Sequence, residues 1–162
     1  MTHAAPPEDA VALARAVADR MFANDRASRG LGMAIAAVRP GQAELTMTVR
    51  GDMVNGHAIC HGGFVFTLAD SAFAFACNSY NLNTVAQGCA IEFLAPAHEG
   101  DVLTARAVER RLSGRTGVYD IEVTNQRAER VAMVRGRSHR MKDREVVPLT
   151  DACFAPEPAP TK

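Results

Sequence analysis

The sequence predicts an α+β domain in which a curved antiparallel sheet of about six strands wraps around one central buried helix, with a further helix at the N-terminus. Three observations point there. Residues 62–79 are apolar nearly all round, with Phe64, Phe66, Leu68, Phe73 and Phe75, and a helix apolar on every side is a buried one. After that segment the period switches to two, the period of strands. The last separators, SGRT and RAE, are short enough for hairpins, so the strands they join run antiparallel.

Taken in order, Pro6 and Pro7 precede EDAVALARAVADRMF, where Leu13, Val17 and Met21 recur at helical spacing and acids occupy the first turn. That is a proline-started helix, expected to end between Asn24 and Gly32. Residues 33–38 read as a short strand, Pro40-Gly41 as a turn, and residues 43–49 as a strand with Ala43, Leu45, Met47 and Val49 on one face. Residues 50–61 form a loop rich in Gly, Asn and His, and the buried helix follows. Strands are expected at 84–94, 102–112, 118–126 and 131–139. Residues 1–7 read as a flexible start, 8–145 as a single domain, and 146–162, with Pro148, Pro156, Pro158 and Pro160, as a poorly ordered tail. One helix and one sheet leave surfaces that a second copy of the chain would cover, so an oligomer is expected.

Composition narrows the function classes. The 162 residues, 48% hydrophobic and 22% charged, suit one soluble domain. A net charge of zero gives no bulk attraction to nucleic acid or membrane. No uncharged apolar run is long enough to span a bilayer, and MTHAAPPEDA lacks the basic and apolar regions of a signal peptide. Cys60, Cys77, Cys89 and Cys153 contain no CxxC pair, which suggests neither a disulfide framework nor a zinc cage. A reducing cytoplasm is the expected compartment.

The chemistry concentrates between Asn55 and Asp70, NGHAICHGGFVFTLAD. His61-Gly62-Gly63 lies where the loop becomes the buried helix, and a helix start offers unpaired N–H groups to a developing oxyanion. Asp70 is the one charged residue between Gly62 and Tyr80. A carboxylate in such surroundings is costly, and sequences retain one mostly for function. Eight residues separate Gly62 from Asp70, about 12 Å along a helix, so one reacting carbonyl cannot touch both. Two antiparallel copies of the helix would solve this, with Asn55, His61 and Gly62 from one subunit and Asp70 from the other. His57 and His61 suggest no metal site, because they lie in a loop without a third ligand at useful spacing. Cys60 beside these histidines is a lesser candidate nucleophile.

The stretch MVNGHAICHGGFVFTLADSAFAFACNS resembles the hotdog-fold thioesterases of the phenylacetate-degradation type. The likeness continues through CAIEFLAPAHEGDVLTARA, SGRTGVYDIEVTN and VAMVRGRSH, covering about residues 10 to 142. It implies hydrolysis of acyl-CoA thioesters, with phenylacetyl and ring-hydroxylated phenylacetyl groups favoured, by a homotetramer built from two hotdog dimers. Coenzyme A is then part of the substrate and no separate cofactor is implied. In the same likeness Gly62 corresponds to the oxyanion-hole N–H, with Gly63 beside it in the substrate contacts. Asp70 corresponds to the nucleophile or general base, Asn55 to a polar partner of the attacking water or leaving group, and His61 to a helper that positions the carbonyl. A Ser or Thr that holds water in some relatives falls here at Gly88, with Gln87 as the available stand-in. The basic stretch 135–144, with Arg111, Arg115 and the Ser113-Gly114 turn, offers Arg137 and Arg140 as further partners for coenzyme A phosphates. A hotdog hydratase or dehydratase is the neighbouring alternative, but the Gly-Asp-x-Asn-Pro run typical of those enzymes is absent. A non-catalytic acyl-CoA-binding protein is the other.

Overall fold

The computed structural model describes residues 7–147. The expected flexible ends, 1–7 and 146–162, therefore lie outside the described residues except for Pro7, Val146 and Val147. Helix α1 (Glu8–Asn24) follows Pro7 and buries Ala14, Val17 and Ala18. The helix ends within the expected range, at Asn24, and Asp25 follows it. There the carboxylate accepts hydrogen bonds from the Ser28 backbone N–H and hydroxyl at 2.9 and 2.5 Å, which starts a separate short helix, α2 (Arg26–Gly30).

Strands β1 (Ala34–Arg39) and β2 (Gln42–Thr48) form the expected hairpin. Gly41 turns it at φ +71°, and the Gly41 N–H donates to Ser79 Oγ at 2.7 Å, fixing the turn to the far end of the central helix. Ala43, Leu45, Met47 and Val49 are all buried, as their alternation predicts. The central helix α3 (Gly62–Asn78) buries Leu68, Ala69, Ala72, Phe73, Phe75 and Ala76 against the sheet and α1.

Four strands complete the sheet: β3 (Leu82–Phe93), β4 (Val102–Ser113), β5 (Thr116–Thr124) and β6 (Arg130–Glu145). All six are antiparallel, in the order β1-β2-β4-β5-β6-β3, so β3 pairs with β6 and its other edge has no partner strand among the described residues. The fold is thus a hotdog fold, a curved sheet around α3 with α1 alongside. One strand departs from expectation in length. β6 runs six residues beyond 139, because Leu82 at the start of β3 pairs with Glu145. The polar stretch 140–145 carries no period-two signal, and backbone pairing alone extends it. Just beyond, Val147 is buried and exchanges two 2.8 Å hydrogen bonds with the Asn81 side chain. No helix among the described residues is long and apolar enough to cross a membrane.

Gly136 in β6 is where sheet and helix come closest. A Cβ there would sit 2.9 Å from the Phe73 ring. Gly136→Ala is expected to cost about 1–3 kcal/mol through overpacking, read as a lower denaturant midpoint with the subunit assembly unchanged.

Candidate active site

The loop before α3 is shaped by its own backbone bonds. The Asn55 N–H donates to the Ile59 carbonyl at 2.9 Å, the Ala58 N–H donates to the Asn55 carbonyl at 3.0 Å, and Val54 bridges Cys60. Asn55 Oδ1 accepts from the His57 N–H at 2.9 Å, which leaves the Nδ2 group with no partner among the described residues. His61 caps α3, its Nδ1 accepting from the Gly63 N–H at 3.0 Å. That bond occupies the Gly63 donor, so the N–H left without an acceptor among the described residues at this helix start is that of Gly62.

Gly62 and Asn55 line one cavity of about 630 Å³ with Ile59, Cys60, Val65 and Phe93. A Cβ on Gly62 would fall 2.7 Å from Phe93 Cζ, so glycine is required for the ring to close over the helix start. Cys60 Sγ points to the His61 carbonyl at 3.7 Å, and burial pushes its thiol pKa up. Both features oppose a thiolate nucleophile. Among the described residues no group of three or more His, Cys, Asp or Glu is placed to hold a metal ion.

Asp70 stands elsewhere on the helix. Gly63, Thr67, Asp70 and Ala74, at helical spacing, form the stripe of α3 that the sheet leaves uncovered. The carboxylate is half-buried and has no hydrogen-bond or ion-pair partner among the described residues. It lines a second cavity, about 350 Å³, with Met21, Phe73, Ala74, Asn83 and Val85. Desolvation pushes its carboxyl above the usual carboxylate range, and no donor offsets that effect. The structure therefore brings Asn55, His61 and Gly62 together and sets Asp70 apart, about two turns along an unbroken helix.

The arginines do not form one cluster. Arg111 pairs across the sheet with Val118, Val118 with Arg137, and Arg137 with Gly88, so these residues share one row on the outer face. Neither Arg111 nor Arg137 has a carboxylate partner among the described residues. Their neighbours Arg106, Arg110, Arg130 and Arg135 are held by Glu44, Asp120 and Glu122. Arg140 lies on the opposite, inner face of β6 by strand alternation, near Tyr80. Its Nε is buried without an acceptor among the described residues. Arg115 is spent on its own hairpin, donating from Nε to the Arg140 carbonyl at 2.9 Å beside Ser113 and Gly114. Gln87, where the β3–β6 register shifts, is exposed.

Sequence reasoning passed over Phe93 and Asn83. Both sit in strand segments whose residue types carry no signal of their own, and only cross-strand placement brings them to the cavities.

The unpaired carboxylate has a consequence for stability. Below about pH 4, near the unfolded-state value, Asp70 is neutral in both states. As the pH rises from there through the raised folded-state pKa, the folded chain binds more protons than the unfolded one, and stability falls. Asp70→Asn is therefore expected to raise the unfolding midpoint at pH 7. Melts at pH 7 and pH 4 should show that gain shrinking at the lower pH.

Comparison with known proteins gives the family. Residues 57–132 match the Thioesterase superfamily model. The chain is 51% identical over 124 residues to the acyl-coenzyme A thioesterase PaaI of Escherichia coli, spanning 76% of this chain and 89% of that protein. The solved structure of E. coli PaaI, from the phenylacetic acid degradation operon, superposes with a TM-score of 0.80 at 49% identity, over 81% of this chain and 95% of that one. A hypothetical thioesterase of Streptococcus pneumoniae, solved with coenzyme A, superposes with a TM-score of 0.70 at 26% identity, over 78% and 98%. With an unpaired helix-start N–H, an unpaired carboxylate on the same helix and these relatives, the chain belongs to the PaaI-type hotdog-fold acyl-CoA thioesterases.

Proposed function

We propose that the protein hydrolyses acyl-CoA thioesters, phenylacetyl-CoA and ring-hydroxylated phenylacetyl-CoA among them, at sites shared between two subunits. The observation that carries this reading is the separation of two unsatisfied groups on one straight helix, the Gly62 N–H and the Asp70 carboxylate, in two different cavities. A second α3 running antiparallel would bring one subunit's Gly62 opposite the other's Asp70. The β3 edge of the sheet supports that pairing, with Phe93 and Leu94 more than half exposed at 55% and 54%. Long apolar edges are templates for a partner strand. Two such dimers would make the tetramer implied by the family.

In this reading the thioester carbonyl oxygen accepts from the Gly62 N–H, and His61 holds that helix start in register. Asp70 of the partner subunit either attacks the carbonyl carbon or removes a proton from a water that does. In the general-base route the carbon–sulfur bond breaks and coenzyme A leaves as the thiol with the proton taken from water. In the nucleophilic route it leaves as the thiolate, protonated from solvent, and water then hydrolyses the acyl–Asp70 anhydride to restore the carboxylate. Asn55 Nδ2 is free to steady the water or the departing sulfur. Arg111 and Arg137, unpaired on the outer face, suit the phosphates of coenzyme A. The phenylacetate context of the E. coli relative supports the aryl substrate, as does a second cavity of about 350 Å³ with Phe73 and Val85 in its wall.

Asp70→Asn is expected to lower turnover at least about 10²-fold, measured by thiol release, with the elution volume unchanged. Near-normal turnover would remove Asp70 from the mechanism. Single turnover in heavy-oxygen water separates its two roles, since only the covalent route leaves label in the carboxylate. Arg111→Ala and Arg137→Ala should each raise KM and leave kcat intact, and the loss should shrink at high ionic strength. An unchanged KM in both would place the phosphates elsewhere.

A further inference from the structure

We infer that Asn83 selects among acyl groups by hydrogen-bonding a hydroxyl at the end of the acyl group far from the thioester. The inference rests on the thioesterase reading above and assigns to the cavity beside Asp70 the role of acyl pocket. Three observations single out Asn83. The cavity wall is mostly apolar, with Met21, Phe73, Ala74 and Val85, and takes its neutral polar side chains from Asn78, Asn83 and Thr84.

Two of those three are already satisfied. Asn78 Nδ2 donates to the Ala74 and Thr84 carbonyls at 3.0 and 2.8 Å, and its Oδ1 accepts from the Thr84 N–H at 2.8 Å. Thr84 Oγ1 donates to the Leu82 carbonyl at 2.6 Å. The Asn83 amide has no hydrogen bond among the described residues, although the residue is partly buried.

Backbone geometry gives the third observation. The β3–β6 ladder loses register at this point, Leu82 pairing with Glu145 and Thr84 with Arg140, and Asn83 between them has no cross-strand partner. Such irregularities re-aim a side chain and recur beside active sites. Asn81 pins Val147 immediately alongside, and this keeps Val146 in the cavity wall. The result is an apolar slot with Asp70 on its wall and, beyond the end of α3, one amide that can both donate and accept. An occupant that matches has an apolar body and a terminal group that also donates and accepts, which describes a hydroxyl.

The test compares kcat/KM for phenylacetyl-CoA and its 2-, 3- and 4-hydroxy derivatives in the full chain, Asn83→Ala, Asn83→Ser and Asp70→Asn. One neutral hydrogen bond at a partly wet site corresponds to about a tenfold preference. The full chain should favour at least one hydroxylated isomer by that factor. Asn83→Ala should erase the preference by slowing that isomer about tenfold more than phenylacetyl-CoA, and Asn83→Ser should restore part of it. The variant has no internal hydrogen bond to lose, so its unfolding midpoint should match that of the full chain. A full chain that shows no preference, or an Asn83→Ala variant that retains it, overturns the assignment while Asp70-dependent hydrolysis stands. Hydrolysis that survives in Asp70→Asn overturns the shared-site reading, and the role of Asn83 with it.

Discussion

The concave face of the sheet has to be covered by something apolar, and α3 covers it. Leu68, Ala69, Ala72, Phe73 and Ala76 are buried there, and Gly136 is bare so that the Phe73 ring can lie against β6. This packing fixes the rotation of the helix about its axis. Once that rotation is set, the stripe through Gly63, Thr67, Asp70 and Ala74 is the face left over. The placement of the carboxylate is thus a by-product of core packing. A helix turned so that Asp70 took the place of Ala69 would bury the carboxylate in the core, at a cost that is a large fraction of a domain's stability.

The same helix is held at both ends. At its start, His61 satisfies the Gly63 N–H and leaves that of Gly62 open. At its end, Ser79 ties the β1–β2 turn to the last turn of α3 through Gly41. Between these anchors the helix is unbroken, and its rise of about 1.5 Å per residue sets the spacing between the two unsatisfied groups. Stability and chemistry pull in opposite directions at Asp70, since burial without a donor raises its pKa and penalises the charged form. Active sites commonly hold such strain, and the rest of the core offsets it.

The outer face of the sheet shows a comparable division. Most of its arginines are neutralised by acids on neighbouring strands, as with Asp120 between Arg110 and Arg135. Arg111 and Arg137 are left in a row with Val118 and Gly88, with no carboxylate partner among the described residues. Basic residues that looked equivalent along the chain are therefore different in space. Arg140 is the clearest case, because strand alternation turns it to the inner face near Tyr80.

Elements with strong local periodicity were legible in the sequence. The Ala43–Val49 alternation, the all-round apolarity of residues 62–79 and the short turns of the last strands led to the hotdog arrangement, because period and turn chemistry are properties of adjacent residues. The HGG start and the lone acid of α3 were legible for the same reason, and helix rise alone separated them. What the sequence could not carry is whatever depends on residues far apart in the chain. The extension of β6 to Glu145 depends on pairing with Leu82, more than sixty residues away. The division of the arginines between two faces depends on register. The approach of Phe93 to Gly62 and the unpaired Asn83 beside the Asp70 cavity likewise exist only once the strands are aligned, since alignment of strands is a tertiary choice that no local pattern encodes.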